Sequence, residues 1–172
     1  MITPGRPQAG EHAPYFSRYI DLVPEDDVVG TLEAQGREIA ALLAPLGEEK
    51  ASFRYAPDKW SVKQVVGHIS DAERVFAYRL LSIARGETQS LPGFDEKEYM
   101  QHANFDQRPF AELLDDFDAT RRATLTLLRG LADDAWTRSG TANATQISVR
   151  AIAYTLVGHA RHHLGVLRSR YL

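Results

Sequence analysis

The stretch Ser148-Val-Arg-Ala-Ile-Ala-Tyr-Thr-Leu-Val-Gly-His-Ala-Arg-His-His-Leu-Gly-Val-Leu-Arg-Ser-Arg-Tyr-Leu172 decides the fold. Apolar residues recur at Ile152, Leu156, Val166 and Leu167, the spacing of one helical face. His159 and His163 fall on that stripe one turn apart. They are separated by about 40° around the axis, so their rings project side by side. His162 lies about 60° to the other side of His159, at the edge of the stripe or beyond it. Two imidazoles so placed can share one metal ion. Without an ion, each buried ring needs hydrogen-bond partners for its nitrogens. The pair alone admits both readings.

Three further segments carry the same period. One should start near Pro24, with Glu25-Asp26-Asp27 at the positive end of the helix dipole, and end at Pro45 and Gly47. Its stripe is Val28, Leu32, Ile39, Leu42, Leu43 and Leu46. The next opens on a capping box, Ser61 with Gln64, preceded by Trp60 as a hydrophobic staple to Val65. It buries Val65, Ile69, Phe76, Leu80 and Ile83 and closes at Arg85-Gly86. The third runs from about Pro109 to Leu128 with Leu113, Phe117 and Leu125 inside. Ser148 caps the last helix, with Ile147 and Ile152 as a second staple. Four long amphipathic segments with no strand pattern predict an all-α four-helix bundle over residues 21–172. Residues 1–20 read as an irregular N-terminal arm, with Pro4, Pro7 and Pro14. The polar run 137–145 reads as a turn. Residues 87–108 read as a long connection between bundle ends, with Asp95 capping a short helix.

Composition narrows the function. At 172 residues with 44% hydrophobic residues, the chain has enough length for one domain with a sizeable core. The net charge of −3, without a Lys/Arg run, argues against a dedicated nucleic-acid or membrane-surface binder. With no cysteine, disulfides, thiolate ligands and a protein-borne thiol nucleophile are excluded. No secretory signal or membrane span is evident, so a cytoplasmic location is expected.

His68 supplies a third candidate ligand. It sits at the rim of the apolar face of its helix, suited to facing a cleft. Both His68 and His159 follow a glycine, in Val65-Val-Gly-His68 and Leu156-Val-Gly-His159. A glycine inside a helix costs about 1 kcal/mol relative to alanine. Two beside histidines imply that these two helix backbones approach closely, with or without a metal. Three imidazoles from two helices make an open site, which zinc would hold with a fourth position free. Nickel, iron or manganese can take similar ligands. Ala160 stands where a zinc protease would have its glutamate, and no paired Glu-x-x-His marks a di-iron bundle. Asp71, one turn from His68 but about 60° off, either orients a ligand or faces solvent.

The segment Trp60-Ser-Val-Lys-Gln-Val-Val-Gly-His68-Ile-Ser-Asp-Ala-Glu-Arg74, with the C-terminal Gly158-His-Ala-Arg-His-His163-Leu-Gly165, resembles the DinB-like superfamily, which includes YfiT-type metal-dependent hydrolases. The resemblance spans about residues 20–172. It implies up-down-down-up connectivity, frequent dimers, and a divalent ion, commonly nickel or zinc, on positions that match His68, His159 and His163. Some relatives resemble transferases that use bacillithiol, mycothiol or glutathione.

The expectation is therefore a metal-dependent enzyme that activates an external low-molecular-weight thiol for transfer to a small electrophile. The alternatives are hydrolysis by water, or a non-catalytic metal-stabilised bundle acting in a stress response. A homodimer is expected, because Tyr15, Phe16, Tyr19, Ile20, Tyr171 and Leu172 add apolar groups to a small bundle. Metal affinity is expected to fall as pH drops through about 6, near the pKa of a free imidazole.

Overall fold

The computed structural model describes residues 4–172. Among the described residues there are seven α-helices: α1 (Pro14–Ile20), α2 (Val28–Leu43), α3 (Glu48–Ala51), α4 (Val62–Ala84), α5 (Glu96–His102), α6 (Phe110–Arg129) and α7 (Val149–Arg170). The four long ones, α2, α4, α6 and α7, form the bundle. Both α2 and α4 pack on α6 and α7. Consecutive helices α2 and α4 therefore occupy opposite corners.

Contacts at the helix ends fix the directions. Lys63 Nζ, at the start of α4, donates to the Arg108 carbonyl just before α6 at 2.8 Å. Those helices run parallel. Tyr171 Oη, past the end of α7, donates to the Trp60 carbonyl at 2.6 Å, so α7 opposes α4. Arg129, at the end of α6, pairs with Glu33 near the start of α2 at 2.8 Å. The result is up-down-down-up. Its parallel middle pair needs the long crossover between Arg85 and Pro109.

The capping expectations hold where a side chain does the capping. Ser61 Oγ accepts from Gln64 N at 3.0 Å, and Gln64 Oε1 accepts from Ser61 N at 3.1 Å. Ser148 Oγ accepts from Ala151 N at 3.1 Å. Asp95 caps α5 through the amides of Lys97 and Glu98.

Three local expectations are corrected. The first bundle helix starts at Val28, not Pro24, because Asp27 accepts from Gly30 N at 2.9 Å and caps it there. The arm is irregular only through its described residues 4–13; residues 1–3 lie outside the described part. From Pro14 it forms helix α1, docked on α7, with Tyr19 and Ile20 buried. The polar run after Trp136 contains an antiparallel hairpin, β1 (Ser139–Ala142) and β2 (Thr145–Ser148). Its two-residue turn, Asn143-Ala144, has φ of 51° and 58°. These are the left-handed conformations that a twisted hairpin demands of both central residues. Leu91 from the crossover adds to the hairpin, donating to the Thr141 carbonyl and accepting from Asn143 N, both at 2.9 Å.

The apolar core is divided. One cluster holds Leu32, Phe76, Leu125 and Ile152; the other holds Ile39, Ile69, Phe117 and Leu164. Each long helix changes cluster at the same level, and polar side chains fill that level. Arg121 forms a bidentate pair with Glu73, with contacts of 2.8–3.0 Å. Arg121 Nη1 also donates to the Leu32 carbonyl at 2.8 Å, and Gln35 Nε2 donates to the Val157 carbonyl at 2.9 Å. A belt of buried polar groups thus joins all four helices. No helix among the described residues is long and apolar enough to cross a membrane.

Candidate metal centre

The three histidines singled out in the sequence meet in this belt. His68 comes from the second turn of α4, and His159 and His163 from consecutive turns of α7. One ligand atom of each lies within 4.8 Å of those of the other two. His159 Nε2 is 3.1 Å from His68 Nε2 and 3.2 Å from His163 Nε2. His162 is exposed, as the stripe geometry requires.

This convergence is poorly satisfied by imidazoles alone. A neutral ring has one N–H and one lone pair, so His159 Nε2 offers either a proton or a lone pair between two neighbours. A cation at their meeting point would satisfy all three. Tetrahedral zinc with bonds of about 2.0–2.1 Å separates its nitrogens by about 3.3 Å, close to the two separations from His159 Nε2, 3.1 and 3.2 Å, with all three atoms within 4.8 Å of one another. The donor set therefore fits a divalent ion.

The surroundings favour neutral imidazoles. Burial lowers His68 to a pKa of about 4. Burial, then the neighbouring histidines, lowers His163 to about 3 and places His159 well below 6.5. His68 is 5% exposed, so it lies inside the bundle and not at its rim. The Trp60 ring packs on it at 4.9 Å, and Tyr19 and Phe76 lie edge-on to His159 at 5.4 and 6.2 Å.

The two glycines do bring other groups close, but not each other's helices. A Cβ on Gly67 would lie 2.5 Å from the Phe105 ring. One on Gly158 would collide with the Tyr19 carbonyl. The missing side chains admit the crossover and α1 against the centre. Asp71 pairs with Arg74 at 3.2 Å, and no hydrogen bond links it to a histidine.

His159 also lines a cavity of about 210 Å³. Tyr15, Phe16 and Tyr19 of α1, Phe76 and Arg79 of α4, and Phe94 of the crossover supply much of its wall. Asn143 and Thr145 of the hairpin complete one side. Sequence reasoning missed Arg79 as a wall residue, and Gln35, Glu73 and Arg121 as belt residues. The available signal was a charged or amide residue at a stripe position, as in Phe117, Arg121, Leu125 and Ile69, Glu73, Phe76.

A family model for the DinB superfamily matches residues 31–167. The chain belongs to the DinB superfamily. Among solved structures, this DinB protein is similar to YfiT from Bacillus subtilis, described as "a probable metal-dependent hydrolase with an unusual four-helix bundle topology". The TM-score is 0.73 and the identity 20%, over 83% of this chain and 85% of YfiT. At that identity the likeness establishes the shared fold. A comparison with curated protein sequences gives no match.

Proposed function

We propose that this DinB-superfamily chain is a metal-dependent enzyme that directs an external nucleophile at a small electrophile. The observation that carries it is the meeting of three Nε2 atoms beside a cavity that one of the histidines lines. His68, His159 and His163 would hold the ion, zinc or nickel before iron or manganese. Such an ion acts as a Lewis acid and lowers the pKa of a thiol or water that reaches it. The protein's share is positioning. Burial keeps the three imidazoles unprotonated, and the aromatic wall excludes water from a seated substrate. With Tyr19 pushed up to about 12 by burial, its phenol stays protonated in that wall.

The first reading of the nucleophile is a low-molecular-weight thiol brought by a cosubstrate; the absence of cysteine from the chain fits this and also fits water. The second reading is hydrolysis by water. A cavity of about 150 Å³ admits benzene, so about 210 Å³ seats one small molecule beside His159, and a larger one would extend out past Phe94, Glu96 and Asn143. YfiT's description supports the same alternative. The homodimer is also a proposal. Of the six apolar residues invoked for it, Tyr19, Ile20 and Tyr171 are buried within one chain, while Tyr15 and Leu172 stay exposed. Light scattering at micromolar protein decides it.

Metal content after equilibration with a competing chelator tests the ligand set. One divalent ion per chain is expected in the wild type and in His162→Ala. Loss of tight binding is expected in His68→Ala, His159→Ala and His163→Ala. Equal loss in His162→Ala would defeat the assignment. Electrophile turnover with and without added thiol then separates the two nucleophiles. If neither proceeds above the uncatalysed rate and metal removal only lowers thermal stability, the ion is structural.

A further inference from the structure

Two arginines are buried in this bundle, and they are treated differently. Arg121 is 2% exposed and spends its donors on the Glu73 carboxylate, the Leu32 carbonyl and Gln35. Arg79 is 5% exposed. Its Nη2 donates to the Pro92 carbonyl at 2.7 Å, and among the described residues its buried Nε has no partner. Among the described residues, no carboxylate lies within 4.0 Å of it. The Phe76 and Phe94 rings flank its guanidinium carbon at 5.6 and 5.7 Å.

A guanidinium cannot shed its charge. Burying a cation without a counter-ion is costly, and aromatic faces offset only part of that cost. The wall of the cavity beside His159 contains one permanent cation, Arg79. Its one acid, Glu96, is exposed at the mouth. The remaining wall is largely aromatic. A ligand that complements this cavity has an apolar, flat body and an anionic end.

We infer that Arg79 is the recognition residue for the substrate's carboxylate, and that the cavity takes small aromatic or similarly flat carboxylic acids. A ring carrying one carboxylate suits about 210 Å³, given that about 150 Å³ already holds benzene. The carboxylate lies at Arg79, and the body of the ligand extends along Phe76 toward His159. That the far end then meets a reactive centre rests on the proposed function; recognition by Arg79 does not.

Benzoate, benzamide and phenyl phosphate serve as probes in titration calorimetry. Wild-type protein, metal-loaded and chelator-treated, is compared with Arg79→Gln and Arg79→Lys. The expected result is at least a tenfold preference for benzoate over benzamide in both wild-type preparations. That preference should vanish in Arg79→Gln and survive in part in Arg79→Lys. A preference that disappears on metal removal but persists in Arg79→Gln would place the anion on the metal and overturn the inference. Tighter, Arg79-dependent binding of phenyl phosphate would overturn the carboxylate in favour of a phosphate. If Arg79→Gln does not fold, the Arg79 Nε–H resonance of wild-type protein decides: it must shift on adding benzoate and not benzamide. An unshifted resonance overturns the inference. The chelator-treated arm keeps the result independent of whether the histidines bind metal.

Discussion

Gly158 of α7 stands so close to the Tyr19 carbonyl of α1 that the two backbones meet with no room for a Cβ. The chain thereby accepts the helical cost of a glycine one residue before His159. Gly165, on the same helix, faces nothing within 4 Å. The two glycines should respond oppositely to alanine. Gly165→Ala gains helix propensity and should stabilise by about 1 kcal/mol. Gly158→Ala should destabilise by about 1–3 kcal/mol through overpacking and lift α1, with its Tyr15, Phe16 and Tyr19, from the cavity wall. Urea unfolding of both variants checks this. Stabilisation by Gly158→Ala would show that α1 yields without cost.

The Glu73–Arg121 pair should behave as a buried unit. Arg121→Met leaves a buried carboxylate behind and should cost about 3–5 kcal/mol, whereas the double variant Glu73→Met, Arg121→Met should cost less than either single change. A double-mutant cycle by chemical denaturation measures the coupling. Additive losses would mean that the pair contributes nothing as a pair.

Acid should act first through the histidines. In the metal-free folded chain His68 and His163 stay neutral to about pH 4 and 3, because burial lowers their pKa. The unfolded chain protonates them below about 6.5. Between about 6.5 and 4 the unfolded state therefore binds more protons, and stability falls as pH falls. Glu11, held low chiefly by Arg150, and Glu25, held low chiefly by Arg161, lose their contributions only below their ordinary 4.5. The thermal midpoint of chelator-treated protein should drop between pH 6.5 and 4.5, with a shallower drop in His163→Ala. Identical slopes would refute the assignment. If the histidines hold an ion, the same burial should move the onset of proton competition below the pH of about 6 expected for free imidazoles.

Ala144 occupies a left-handed position, with φ of 58°, where glycine carries no steric cost. Ala144→Gly should stabilise the hairpin by about 0.5–1 kcal/mol after the entropy of glycine is set against the relieved strain. A thermal midpoint that falls would indicate that the turn is not strained.

These cases show what was readable in advance. The long helices were legible because stripe, cap and staple agree, as at Ser61-Gln64 and at Ser148. So was the convergence of His159 and His163, which one turn of helix dictates. The hairpin was hidden because Ala144 replaces the glycine that normally announces such a turn. Helix α1 was hidden because no side chain caps it and tertiary contact with α7 holds it. The glycines signalled close approach correctly, but a glycine cannot say which neighbour approaches. The belt was missed because Arg121, Glu73 and Gln35 find their partners on other helices, which one helix's period does not reveal.

The histidines stand on the long helices, whereas much of the cavity wall comes from α1, the crossover and the hairpin. Arg79 and Phe76 share α4 with His68, so the long helices carry the histidines and part of the wall, and the shorter elements supply the rest. A lineage built on this chassis can exchange one upholstery for another, trading turns and short helices, while the ligands keep their places. Relatives can then keep the histidine positions and differ in the cavity wall, and membership of the superfamily alone does not name a substrate.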